Sequence, residues 1–196
     1  MSHTEVEAKI HVADLATIEQ RLRDQDAALS APRVYERNVR YEDAANTLLP
    51  TDRVLRLRYD TRARLTYKEP GEPASKGIAS RVELEVTVSD FETTDLLLQK
   101  LGYHAEWIYE KYRTTYDFLG CEVVLDEMPY GNFIECEGDP AAIEQVLAAL
   151  NLADAPRLTE SYSDLFFRIK AQLGLAFQDL TFENFKAISV PHDIFG

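Results

Sequence analysis

Three pairs of glutamates stand two residues apart in this 196-residue sequence: Glu5 with Glu7, Glu83 with Glu85, and Glu135 with Glu137. In an extended strand that spacing puts both carboxylates on one face. Lys9 extends the first pair in phase, and Arg81 precedes the second. Cations follow the same rule elsewhere: Arg56 with Arg58, Lys111 with Arg113, and Lys68 in phase with Thr66. Asp126 ends a short apolar run in phase with Val124. Like charges side by side on a strand face repel and cost stability, so each set asks for an ionic partner. Paired carboxylates are hard oxygen donors of the kind that hold Mg²⁺ or Mn²⁺. Arginine offers a planar fork that matches phosphate, and lysine a compact point charge. A site holding a divalent metal together with a polyphosphate satisfies both sets at once.

Strands must position these residues, and the sequence supplies them. Residues 3–11, 34–42, 53–59, 63–68, 81–89, 107–118, 122–126 and 132–137 read as strands, most with period-two alternation. Pro129-Tyr130-Gly131 reads as the turn of a hairpin. Helices are predicted over 14–28, 92–101, 139–150 and 161–173, with Asp14 as a cap and Gly102 and Gly174 as stops. Several strand connections are too short for a parallel crossover, so the sheet is expected to be antiparallel. Eight such strands can close into a barrel, giving an α+β fold with flanking helices. Two geometries fit the charges. Each charged face could meet water, as in a half-solvated antiparallel sheet. Alternatively all of them line one interior. Seven carboxylates and seven cations share matched phases on seven strands, and that concurrence favours the interior.

Composition bounds the rest. A formal net charge of -13 argues against nucleic acid as a partner, because affinity there rests on cations meeting phosphates. No apolar run of about 18 residues exists to span a membrane. The N-terminus lacks a basic segment leading into an apolar one, so a cytoplasmic location is expected. Cys121 and Cys136 have no metal-ligand spacing and read as reduced structural thiols. His3, His11, His104 and His192 are scattered and form no motif. Trp107 and the Tyr-rich strand after it could stack on a base, but packing on an outer face is the expectation.

Taken in order, the charged segments resemble a known signature. Glu5-x-Glu7-x-Lys9 is followed by Leu55-Arg56-Leu57-Arg58, Leu65-Thr66-Tyr67-Lys68, Arg81-x-Glu83-x-Glu85 and Glu110-Lys111-x-Arg113. Asp126, Gly131-Asn-Phe-x-Glu135-x-Glu137 and Ser161-Tyr162-x-x-Leu165 complete the series. It is similar to the CYTH superfamily, also called triphosphate tunnel metalloenzymes. Leu101-Gly102-Tyr103 before the Glu110-Lys111 strand resembles the class IV adenylyl cyclase-like branch. The intact Glu83-Leu84-Glu85 pair resembles the phosphatase-like members.

The resemblance implies an eight-stranded antiparallel tunnel over residues 1–171, with residues 172–196 as a tail packing on it. It implies an enzyme that uses Mg²⁺ or Mn²⁺ and a triphosphate-bearing small molecule. That enzyme is either a triphosphatase or an adenylate cyclase making cyclic AMP and pyrophosphate. Arg56, Arg58, Lys68, Arg81, Lys111 and Arg113 would bind phosphate oxygens. Glu5, Glu7, Glu83, Glu85, Asp126, Glu135 and Glu137 would supply metal ligands, and Lys9 would orient or deprotonate the nucleophile. A homodimer is left open. The alternative is a module that binds polyphosphate or nucleotide without turnover.

Overall fold

The computed structural model describes residues 3–71 and 79–195; within these, the side chains of 3–5, 79, 80, 192 and 193 are left undescribed. Eight strands follow the alternating stretches: β1 (His3–Val12), β2 (Ala28–Glu42), β3 (Val54–Tyr59), β4 (Ala63–Pro70), β5 (Ala79–Val88), β6 (His104–Phe118), β7 (Cys121–Met128) and β8 (Gly131–Glu137). All pairings are antiparallel, and the order β1-β5-β4-β3-β2-β6-β7-β8 returns to β1 as a closed barrel. Closure leaves no sheet edge and forces alternate residues of every strand inward.

The outward residues build the hydrophobic packing. Ala8, Ile10 and Val12 of β1 join Val123 and Leu125 of β7 and Ile134 and Cys136 of β8. Two helices cover this surface. α1 (Leu15–Asp24) contributes Ile18 and Leu22, and α3 (Pro140–Ala149) contributes Ile143, Val146 and Leu147. A third helix, α2 (Phe91–Lys100), seats Leu98 on Val39, Tyr41 and Leu57. The caps are local chemistry: Asp14, Asp90 and Asp139 each accept from backbone N–H groups of the helix they precede.

Two boundaries differ most from the sequence expectation. The helix predicted to reach Ala28 stops at Asp24, because Asp26 takes a left-handed φ of 57° and the Ala27 N–H returns to Leu22 O at 3.0 Å. Strand β2 consequently starts early, at Ala28. Register shifts between Leu29 and Ala31 and between Ala31 and Val34 absorb Pro32 there, as bulges do at barrel rims.

One barrel end is covered by α4 (Tyr162–Leu173) and the chain after it. Leu165, Phe166 and Ile169 of α4 pack with Trp107, Tyr109, Met128 and Phe133 from the strands. Beyond α4, Leu180 exchanges backbone hydrogen bonds with β6: Leu180 N–H to Ile108 O at 2.8 Å, and Glu110 N–H to Leu180 O at 2.9 Å. A short helix α5 (Phe182–Phe185) then adds Phe185 to the same cluster.

Candidate active site

Inside the barrel, β1 faces inward with Glu7 and Lys9, and β3 with Arg56 and Arg58. Strand β4 contributes Lys68, and β6 contributes Tyr109, Lys111 and Arg113. They surround a cavity of about 120 Å³. Eight cations line it: Lys9, Arg40, Arg56, Arg58, Lys68, Arg81, Lys111 and Arg113. Two carboxylates, Glu7 and Glu135, stand against them. A chain of net charge -13 thus concentrates cations at one interior site. A second opening of about 580 Å³, walled in part by Glu36 and Glu122, also has Arg58 and Arg113 in its lining. Those two residues therefore line both spaces.

All six arginines and lysines anticipated as phosphate ligands face this cavity. They are held by carboxylates behind or beside them. Asp126, fully buried, accepts from Lys111 Nζ at 2.9 Å, Arg113 Nε at 2.7 Å and the Tyr162 hydroxyl at 2.9 Å. Burial would raise its pKa, but Arg113 and Lys111 outweigh that and hold it well below the usual carboxylate range. With those donors in place, Asp126 orients cations and has little lone-pair capacity left for a metal.

The remaining carboxylates divide between the strands. Glu135 takes Arg113 at 2.8 Å and Lys9 at 3.3 Å. Glu83 pairs with Lys68 at 2.8 Å, and Glu85 accepts from Thr66 Oγ1 at 2.8 Å. Arg81 reaches Asp52 at the rim, at 2.7 Å. Glu7 and Glu137 sit directly opposite each other on β1 and β8, with Lys9 opposite Glu135. Lys9 donates to Glu160 O at 3.1 Å, and its Nζ lies 4.5 Å from the Tyr162 ring centroid. The Glu5 backbone pairs with Arg81, while its side chain falls outside the described ones.

Among the described residues, no three carboxylate, imidazole or thiol groups are gathered as a ready-made metal cage. The donor chemistry nevertheless suits a hard divalent cation. Glu7 and Glu137 are like charges in direct register, with Glu135 two residues from Glu137 on the same inward face. Mg²⁺ is commonly held by one or two carboxylates and completed by water and substrate phosphates, so a full protein cage is not needed.

Sequence reasoning missed part of the wall. Glu36, Asn38 and Arg40 of β2 are buried and share the inward phase. Glu36 lies 3.4 Å from Arg58 and 3.6 Å from Lys111. Burial opposes its ionisation, yet Lys111 and Arg58 hold it lowered to about 2. Arg40 donates to Ser163 Oγ at 3.0 Å. The period-two signal was present as Glu36-x-Asn38-x-Arg40-x-Glu42, but outward Arg37 blurred it. Trp107 and Tyr109 also correct an expectation: they belong to the inward phase of Lys111 and Arg113, not the outer face. The Trp107 ring stacks on Phe166 at 5.6 Å and abuts Tyr109 at 5.3 Å, leaving the residue 3% exposed. The N-terminus of α4 supplies Ser161, Tyr162 and Ser163 to the same cavity through a capping box between Ser161 and Asp164.

This arrangement can bind an elongated polyanion and neutralise it from several sides. Burial lowers the pKa of Lys111, with neighbouring Arg113 adding to the effect, and burial followed by Arg56 does the same for Arg58. Cations crowded in this way gain most from an anion placed between them.

Comparison with known proteins shows the family and the fold. The CYTH domain family matches residues 3–163. A candidate adenylate cyclase from Vibrio parahaemolyticus has a similar structure, with a TM-score of 0.70 and 18% identity over 85% of this chain and 99% of its own. A Pyrococcus horikoshii protein gives a TM-score of 0.68 and 25% identity over 83% and 98%. A Hippeastrum protein, a candidate adenylyl cyclase described as having a dominant triphosphatase activity, gives 0.63 and 20% identity over 83% and 95%. Among curated proteins, no sequence matches.

Proposed function

Because this chain belongs to the CYTH family, we propose that it hydrolyses a triphosphate-bearing small molecule inside its barrel with the help of Mg²⁺ or Mn²⁺. The observation that carries the reading is the cavity itself: eight cations gathered around one interior space. Arg56, Arg58, Lys111 and Arg113 grip phosphate oxygens and offset charge as it develops on them. Lys68 and Arg81 hold the end of the chain nearer β5.

Glu7, Glu135 and Glu137 would hold the metal, which would polarise phosphate oxygens and make a bound water more acidic. Glu83 and Glu85 orient Lys68 and Thr66 from β5 and form the second acidic pair. Lys9 links the two halves of the site. Arriving phosphate competes with Glu135 for its ammonium, now 3.3 Å from that carboxylate. The same ammonium orients the attacking water. Asp126 keeps Lys111 and Arg113 aimed inward.

Cyclisation of ATP would use the same grip on the phosphates, with the ribose hydroxyl as nucleophile in place of water. The burial of Trp107 favours hydrolysis. Its ring, 3% exposed and packed on Phe166 and Tyr109, offers little surface to a nucleobase.

The test is a panel of tripolyphosphate, ATP and thiamine triphosphate with Mg²⁺ or Mn²⁺, resolving orthophosphate, pyrophosphate and cyclic AMP. Orthophosphate release, lost on chelation and in Glu135→Ala, is the expected result. Cyclic AMP with pyrophosphate would select the cyclase. Tight binding without turnover of any of the three would select a non-catalytic binding module.

A further inference from the structure

Tyr109 is the one tyrosine on the inward face of β6 between Trp107 and Lys111, and it stands among permanent cations. Its hydroxyl oxygen accepts a hydrogen bond from Arg56 Nη1 at 3.1 Å. A guanidinium has no lone pair, so the hydroxyl proton must be directed elsewhere. Among the described residues no acceptor takes it, and the residue lines the cavity. The ring and its backbone are both packed. It lies 5.3 Å from the Trp107 centroid, and the Leu180 backbone clamps the residues on either side of it.

We propose that the neutral Tyr109 hydroxyl donates a hydrogen bond to an oxygen of the bound phosphate chain. The inference extends the reading of this cavity as a phosphate-chain site and names a contact that the charge pattern does not supply. The arginines here are fixed cations; Tyr109 is a neutral donor that can be switched off. Once ionised, it would point a negative oxygen at the phosphate.

Its surroundings bring that switch into an accessible range. Burial pushes the phenol up, but Arg56 and Arg58 of β3 and Lys111 of β6 outweigh burial and bring it down to about 8. Arg40 of β2 and Tyr130, in the β7–β8 turn, also face it. In the empty site the hydroxyl keeps its proton below about pH 8; above it, an arriving phosphate meets a tyrosinate.

Calorimetric titration of metal-free protein with tripolyphosphate, wild type against Tyr109→Phe, tests this without requiring turnover. The phenylalanine keeps the ring and its packing. Comparing the two proteins at each pH cancels ionisation of the ligand. At pH 7 the variant should bind about tenfold more weakly or worse, the loss of one hydrogen bond to a charged group. At about pH 9.5 the two affinities should converge or invert. A difference absorbance titration, wild type minus variant, should show one phenol ionising near pH 8 and moving upward when tripolyphosphate is present. Equal affinities at pH 7, or a ratio constant across pH, would overturn the proposal. Tight pH-independent binding by both proteins would overturn it while leaving the phosphate site standing. Failure of both proteins to bind would overturn the reading of the cavity itself.

Discussion

Replacing Asp126 with asparagine should separate the electrostatic skeleton of the barrel from its chemistry. The carboxylate is fully buried and receives Lys111, Arg113 and Tyr162. The asparagine would be nearly isosteric, but two buried cations would lose their principal counter-charge. Removing one partner from a buried ion cluster typically costs about 3–5 kcal/mol. That is a large share of the roughly 5–15 kcal/mol that holds a domain folded. With a urea slope of about 2 kcal/mol/M, the midpoint should fall by about 2 M.

Because the folded pKa of Asp126 is depressed, its stabilisation is fully present above the unfolded value of about 4. It is lost as pH falls through the folded value. Urea melts at pH 7 and 5 should therefore show the same deficit in Asp126→Asn, and the deficit should shrink below about pH 4. Tripolyphosphate adds a second signature. An anion between Lys111 and Arg113 replaces part of the missing charge, so it should raise the variant's midpoint more than the wild type's. A variant within about 0.5 kcal/mol of wild type at pH 7 would refute the claim that Asp126 holds these cations in place, as would a deficit that grows toward pH 3.

Three smaller perturbations probe the supports of the site. Ser161→Ala removes one arm of the capping box at the cavity wall; thermal unfolding should show a loss of about 1 kcal/mol. Gly138→Ala would place a Cβ 2.8 Å from Cys121 Sγ and 3.3 Å from the Cys121 backbone. It should destabilise by about 1–3 kcal/mol in urea, and Cys121→Ala in the same chain should recover part of the loss. Cys136 is fully buried, and burial pushes its thiol up to about 12. Mass spectrometry after iodoacetamide at pH 8 should find it unmodified in the folded protein and alkylated in urea; modification at equal rates in both would contradict its burial.

Most of the cavity was legible because strand periodicity converts sequence position directly into side. Once Arg56 and Arg58, Lys111 and Arg113, and Glu135 and Glu137 were seen to share phases, a closed barrel was the geometry that gave their charges a common interior. Where phase was blurred, legibility failed. Arg37 hid the Glu36-Asn38-Arg40 row, and an aromatic-rich stretch made Trp107 and Tyr109 look like outer packing.

The sequence by itself determined which side each charged residue takes, because a two-residue period is a property of the local chain. It also determined the helix caps, through short-range hydrogen bonds of Asp14, Asp90 and Asp139. Only the tertiary structure decided which opposite charges meet. Asp126 and Glu135 carry the same charge and face the same interior. One is nonetheless saturated by Lys111, Arg113 and Tyr162, while the other shares Lys9 and Arg113. That division follows from the register of β6, β7, β8 and β1 and from the N-terminus of α4 reaching into the barrel. Side-chain contacts across a closed sheet depend on register and curvature, which no single strand encodes.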